Sequence, residues 1–260
     1  MNFKKSFLLS FLVSLVFIAG IANVSLAEPQ IEFEGYYWLS DLSAEGRVSK
    51  SGVGTDIDFK NDLGLNDENF PEARFTWHMG PKSRVRLSYV QVSYSGDKHV
   101  EKTIDFNGKT YSGGTRVVTD LEVKYARIGL INQFINIADG KVKFGPLIEA
   151  KGFWVDASLE APDLALPIKE SEDFVIGLPT LGFALDIAPH KKVNLFAEVS
   201  GMPAGDYGYF FDGEAGIKII PIENLSIVGG YRIFKIEAKD DPDYADLDIS
   251  GPFIGATLRF

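Results

Sequence analysis

Polar and apolar residues alternate one for one along most of this chain. In "EARFTWHM", Ala73, Phe75, Trp77 and Met79 share one face, with Glu72, Arg74, Thr76 and His78 on the other. "TDLEVKYA" sets Leu121, Val123 and Tyr125 against Asp120, Glu122 and Lys124. "VNLFAEVSG" and "FDGEAGIKI" repeat the pattern. Period-two alternation marks strands with one apolar and one polar face. It predicts about ten strands, near 31–44, 70–79, 84–96, 115–131, 141–157, 174–188, 193–203, 208–220, 224–238 and 247–260.

The connections between these segments sort by length. "GPKS" (80–83), "PHKK" (189–192) and "PIEN" (221–224) are tight turns, and the link around "NIADGK" is a little longer. The connections between them are mostly longer and more polar, at 45–69, 97–114, 158–173 and 239–246; only "PAGD" (203–206) is short. Tight turns at one end and long loops at the other are the wiring of an antiparallel up-and-down transmembrane β-barrel. The fold class is therefore all-β, with ten strands and eight or twelve as the neighbouring counts. An extra hairpin, "EGRVSK" against "TDIDFK", would make twelve if it spanned the membrane and leave ten if it stayed above it.

Alternation alone does not say which face meets lipid. The polar face carries Glu122 with Lys124, Glu149 with Lys151, Glu214 with Lys218, and Asp186, Glu198 and Arg232. Aromatics favour lipid on the opposite face. Phe75, Trp77 and Phe144 flank tight turns, while Tyr36–Trp38, Phe153–Trp154 and Tyr209–Phe211 lie near the long loops. Two such girdles are the interface belts of a membrane barrel. The charged set is then a lumen network, because unpaired charges in a narrow interior are costly.

The N-terminus fits this placement. Lys4 and Lys5 precede an apolar run from Phe7 to Ala19, and Ser25-Leu26-Ala27 provides a small-x-small cleavage site, so residues 1–27 read as a signal peptide and 28–260 as the barrel domain. Loss of those two lysines leaves 24 bases against 36 acids, a formal charge of −12. With no cysteine, disulfide scaffolds and thiol-based metal or redox chemistry are excluded. The acidic balance offers no footprint for nucleic acid.

The chain ends on "GPFIGATLRF", a strand running to the last residue. Its Gly255, Leu258 and Phe260 match the polar-x-Gly-x-x-apolar-x-aromatic close of bacterial outer-membrane β-barrel proteins, with Phe253 where a polar residue is usual. The resemblance is close over the last strand and loose elsewhere. It implies recognition by the barrel-assembly machinery, residence among outer-membrane lipids and lipopolysaccharide, and no cofactor. Physically, a strand reaching the C-terminus suits a seam that must pair with the first strand, since every backbone group in hydrocarbon needs a partner.

Other candidate chemistry is thinner. His78 and His190 sit at tight turns, and only His99, near Ser93, Ser95 and Asp97, is placed for an outer-rim hydrolase. Omptin-type proteases also have ten strands, but their acidic and histidine motifs find no match here. Asp240, Asp241, Asp243, Asp246 and Asp248 crowd one loop; their oxygens suit hard cations, yet the D-x-D-x-D-G…E spacing of a dedicated site is missing. A solvated acidic loop, open to divalent bridges with lipopolysaccharide phosphates, is the expectation. The leading function is a structural barrel or narrow channel for small polar solutes. Surface attachment through loops 97–114 and 158–173 is the second reading, and a hydrolase the third.

Overall fold

The computed structural model describes residues 30–49, 53–106 and 108–260, and the expected signal peptide lies outside the described residues. The strands are β1 (Gln30–Leu39), β2 (Asp41–Arg47), β3 (Ile57–Asp58), β4 (Asn69–His78) and β5 (Ser83–His99). They continue with β6 (Ile104–Phe106), β7 (Lys109–Tyr111), β8 (Arg116–Asn132), β9 (Ile135–Ile137) and β10 (Val142–Ala161). The last five are β11 (Ile168–His190), β12 (Val193–Pro203), β13 (Gly208–Ile222), β14 (Leu225–Asp240) and β15 (Asp243–Arg259).

Antiparallel pairing runs β1–β4–β5–β8–β10–β11–β12–β13–β14–β15, and β15 returns to pair with both β1 and β2. Because β1 and β2 form one stave broken at Ser40, the closed barrel has ten staves. The "EGRVSK"/"TDIDFK" hairpin forms in miniature, with Glu45 and Gly46 against Asp58 and Ile57, and adds no spanning strand.

Two expected long loops are mostly strand. β10 and β11 stay paired up to Ala161 and Ile168, leaving 162–167 as the loop, and Asp240 pairs Asp243 around a two-residue turn. Polar composition made these hairpin ends look like loops. They are polar because they stand in water, not because pairing stops.

The sides of the wall explain this. Along β5, Arg84, Arg86 and Ser88 point inward and are followed by Val90, Val92 and Tyr94; outward, Val85, Leu87 and Tyr89 give way to Gln91, Ser93 and Ser95. The hydrophobic face thus changes sides partway up the strand. β8 switches at Tyr125–Arg127 and β14 at Arg232–Phe234. Below the switch the barrel is apolar outside and charged inside. Above it, the barrel is apolar inside and polar outside, like a water-soluble one. A 17-residue strand at about 3.3 Å per residue, tilted about 40°, climbs roughly 40 Å, well beyond an apolar band about 25 Å tall.

Exposure shows which storey has the apolar outer face. Outward-facing Phe33, Leu87, Leu181, Phe183, Ile227 and Leu258 are 45–70% exposed, whereas the side chain of Lys151 is 0% exposed and that of Arg232 is 2%. Trp77 and Phe33 lie outward at the tight-turn end, and Tyr37, Tyr89, Trp154, Tyr209 and Tyr231 mark the upper rim of the belt. The expected upper girdle needs correction in part. Tyr36, Trp38, Phe153 and Phe210 are buried inside the barrel, because neighbours on one strand face opposite sides.

The outer mouth is covered. Ile57, Leu63, Val100, Ile104, Tyr111, Val117, Leu159 and Ala161 form a second apolar core above the barrel. Thr55 N–H donates to Asp105 O at 3.0 Å, and Asp105 N–H returns a bond to Thr55 Oγ1 at 3.0 Å. Lys60 clamps Asp41 and Asp67 at 2.9 and 2.7 Å. Leu65 descends from this lid to join the apolar cluster inside the upper barrel.

Candidate functional site

The lower interior is built largely of ion pairs, beside a small apolar patch of Ile131, Leu147 and Ala184. Eight inward acids (Glu32, Glu34, Glu72, Glu149, Asp186, Glu198, Asp212 and Glu214) face nine inward bases (Arg74, Arg84, Arg86, Arg127, Lys143, Lys151, Lys218, Arg232 and Arg259). Formal charge therefore nearly cancels within the bore. Glu72–Arg74 and Glu149–Lys151 are pairs along one strand, and the other pairs join different staves, so closure of the sheet assembles the cluster.

Asp212 is its hub. It accepts bonds from Arg232 Nε and Nη2 at 3.0 and 2.9 Å and from Lys151 Nζ at 2.7 Å. Glu72 accepts from Arg74 Nε at 2.8 Å and Arg232 Nη1 at 2.7 Å. Arg74 reaches across the bore to both oxygens of Glu214 at 2.6 Å, a bidentate pairing that fits the planar guanidinium. Glu198 bridges Arg86 and Arg84, and Arg84 continues to Asp186 at 3.0 Å. Lys151 also lies 3.0 Å from Glu149, whose carboxylate accepts from Ser200 at 2.6 Å.

An aromatic layer sits directly above. Tyr125 stacks on Phe153 with centroids 4.7 Å apart, and Phe234 meets Phe210 edge-on at 5.2 Å. Cations cap the rings from below, with Arg74 4.3 Å from the Tyr36 centroid, Lys151 4.8 Å from Phe210 and Arg232 4.9 Å from Trp38. Cation–π attraction gives charges at the junction a favourable partner on their apolar side. At the inner end the bore widens to a cavity of about 200 Å³ lined by Glu32, His78, Arg84, Lys143, Lys218 and Arg259 among others. His78 Nε2 lies 3.3 Å from Glu32.

Most charges expected in the lumen lie in this cluster: Glu149, Lys151, Asp186, Glu198, Glu214, Lys218 and Arg232 all point inward. Glu122 and Lys124 do not. They pair with each other at 3.1 Å on the outer wall, 36% and 38% exposed, and Gln91 donates to Glu122 at 2.7 Å. The physical reason is the change of sides: above the switch the charged face of β8 is the outer one. The hub residues Glu72, Arg74, Arg127 and Asp212 were absent from the expected network, although Glu72, Arg74 and Asp212 lie on polar faces of alternating segments.

Gly255 faces inward at the seam, where a Cβ would meet Gly35 O at 2.4 Å and the Tyr36 ring at 2.5 Å; Leu258 and Phe260 are exposed on the outside. Phe253 is buried against Tyr36, 5.3 Å between centroids, so the residue departing from the terminal pattern belongs to the aromatic layer. Asp240 and Asp243 pair at the tip of the β14–β15 hairpin, around Asp241. Asp243 accepts from Ser49 N–H at 2.7 Å, and among the described residues no group of three or more acidic or histidine side chains is placed to hold a metal ion. His99 is exposed, and its neighbour Asp97 is engaged by Arg116 at 2.6 Å, which holds the Asp97 carboxyl below the usual range. The His190 ring accepts from Lys192 N–H in its turn.

A closed antiparallel sheet with an apolar belt outside and paired charges inside is the fold of outer-membrane β-barrel proteins. No family model matches the chain, and no curated protein matches it. Among solved structures it is similar to outer membrane protease OmpT from Escherichia coli, with TM-score 0.56 and 8% identity over 91% of this chain and 100% of that one. The translocator domain of autotransporter NalP from Neisseria meningitidis gives TM-score 0.48 and 10% identity over 91% of each chain. At 8% identity the likeness to OmpT is one of fold.

Proposed function

We propose that the protein is an integral barrel of a bacterial outer membrane, closed to solutes, which works by holding an ordered platform at the cell surface. One observation carries this reading: the middle of the bore is filled, with Arg74, Lys151, Asp212 and Arg232 only 2–5% exposed beneath a packed aromatic layer. A passive channel of this width would need its polar groups lined along an open path. The second core, above the barrel, supports a surface-interaction role, since it orders segments around 53–67 and 100–117 that a mere plug does not require. Hydrolysis gains no support from His99, which stands on an open outer face. Lipopolysaccharide contact along the upper wall and reading of Gly255, Leu258 and Phe260 by the assembly machinery belong to the same proposal.

The test is single-channel conductance of refolded protein in a planar bilayer, with heat-modifiable migration on gels to prove folding. Folded protein with no discrete steps is the expected result. Stable steps would overturn the closed reading and make Glu149 and Lys151 the first residues to mutate.

A further inference from the structure

The barrel wall has a gap on one side. β11 pairs with β12 from Leu181–Gly201 downward, but among the described residues its upper half, 168–180, pairs only with β10. Continuing the register would set Pro179 against Pro203, and neither carries an N–H to extend the ladder. The β12–β13 hairpin ends here, leaving a low place in the wall beside a free strand edge.

The side chains at the gap are apolar. Phe174 and Ile176 share the inward phase of β11, since their partners Val155 and Phe153 face the bore, yet they are 44% and 38% exposed. Inward apolar residues elsewhere in the same storey, such as Phe153 and Val92, are 4% and 8% exposed. Below them, Leu178 and Met202 are half-buried against the aromatic layer. Outward residues flanking the gap remain apolar up to Val175 and Trp154, and turn polar only at Asp173 and Asp156. The gap therefore lies within the upper rim of the belt, where unpaired backbone groups need a partner.

We propose that this gap is a lateral binding site for a lipid of the outer leaflet. The acyl chain lies on Phe174, Ile176, Leu178 and Met202, and its ester or amide linkage meets the free backbone edge of β11. An apolar surface beside a row of unpaired N–H and C=O groups calls for an amphiphile, and at this depth lipid is the neighbour at hand. The inference rests on the membrane placement proposed above.

The chain has no cysteine, so single labels can be placed without background. Full-length Ile176→Cys would carry benzophenone maleimide, be refolded into dioleoylphosphatidylcholine vesicles, photolysed and weighed by mass spectrometry. Val199→Cys, outward on β12, and Val92→Cys, inward behind a closed wall, are the controls. Lipid adducts at 176 and 199, with none at 92, are expected. Adding Pro179→Val and Pro203→Val restores two N–H donors, and should abolish the adduct at 176 while leaving that at 199. Labelling at 199 without lipid at 176, or a protein–protein crosslink at 176, overturns the site. Absence of lipid at 199 would instead overturn the membrane placement on which it rests.

Discussion

Replacing Asp212 by Asn tests the interior cluster at its hub. The substitution keeps shape and one acceptor oxygen but removes the charge facing Arg232 at 2.9 Å and Lys151 at 2.7 Å. The interior goes from eight acids to seven with its bases unchanged. Arg232 keeps Glu72 at 2.7 Å and Lys151 keeps Glu149 at 3.0 Å, so one excess positive charge is shared rather than stranded on one side chain. Breaking a buried pair by removing one partner costs about 3–5 kcal/mol, and sharing favours the lower end. With a urea slope of roughly 2 kcal/mol/M, about 3 kcal/mol moves the unfolding midpoint down by roughly 1.5 M. Tryptophan fluorescence of the barrel refolded in vesicles reads that midpoint. Glu122→Gln, which removes a charge from the outer wall, should leave it unchanged, since solvated pairs contribute little. Removing the excess base as well, in Asp212→Asn with Lys151→Met, should recover part of the loss. Equal shifts for Asp212→Asn and Glu122→Gln would refute both the sidedness of the wall and the charge accounting.

Three further outcomes are expected. Gly255→Ala drives a methyl into the seam at Gly35 O and Tyr36, so it should cost about 1–3 kcal/mol as overpacking does and lower the temperature at which the gel shift is lost. In the lid, Tyr111 is 0% exposed and among the described residues its hydroxyl has no hydrogen-bond partner. Tyr111→Phe should therefore leave protease resistance of the outer loops intact, whereas Tyr111→Ala should abolish it by removing a buried ring, a loss of about 3–5 kcal/mol. Outside the membrane, Arg116 holds the Asp97 carboxyl below its usual range, so their pairing is fully present above the ordinary aspartate pKa and lost as pH falls through the depressed one. Arg116→Gln should raise the Asp97 midpoint in a carboxyl NMR titration; an unmoved midpoint would show that the pair does not form.

Stave number, order and turn positions were legible in the sequence, because period-two alternation and the sorting of loops survive in any solvent. The barrel interior was only partly legible. Glu149, Lys151, Glu198, Glu214 and Arg232 lie below the change of sides, so their polar face is the inner one. Glu122 and Lys124 lie above it on β8, where the same alternation points the charges outward. The signal that separates them is present in the chain. In "SRVRLSYVQVSYS" polar residues hold the even positions from Arg84 to Ser88 and the odd ones from Gln91 to Ser95, so the phase slips by one within an unbroken strand. Pairing across the bore, as between Arg74 and Glu214, depends on closure of the whole sheet and leaves no local mark.

That slip of phase follows from the two solvents along each stave. In hydrocarbon the outer side must be apolar, so polar groups can only face inward, where they persist if fully paired. Above the membrane water takes the polar side, and the interior reverts to an apolar core. The junction between the two storeys is the costly place, because charged side chains there meet apolar ones. In this barrel Arg74, Lys151 and Arg232 occupy the junction with carboxylates on one side and the faces of Tyr36, Phe210 and Trp38 on the other. Aromatic rings can do this because they pack as apolar groups while offering a cation a negative face. Aliphatic residues of similar volume would leave the same guanidinium and ammonium groups against a surface with no attraction for charge. The crowding of Tyr36, Trp38, Tyr125, Phe153, Phe210, Phe234 and Phe253 at one level of the bore is therefore what a barrel shared between lipid and water needs in order to change its inside from charged to apolar.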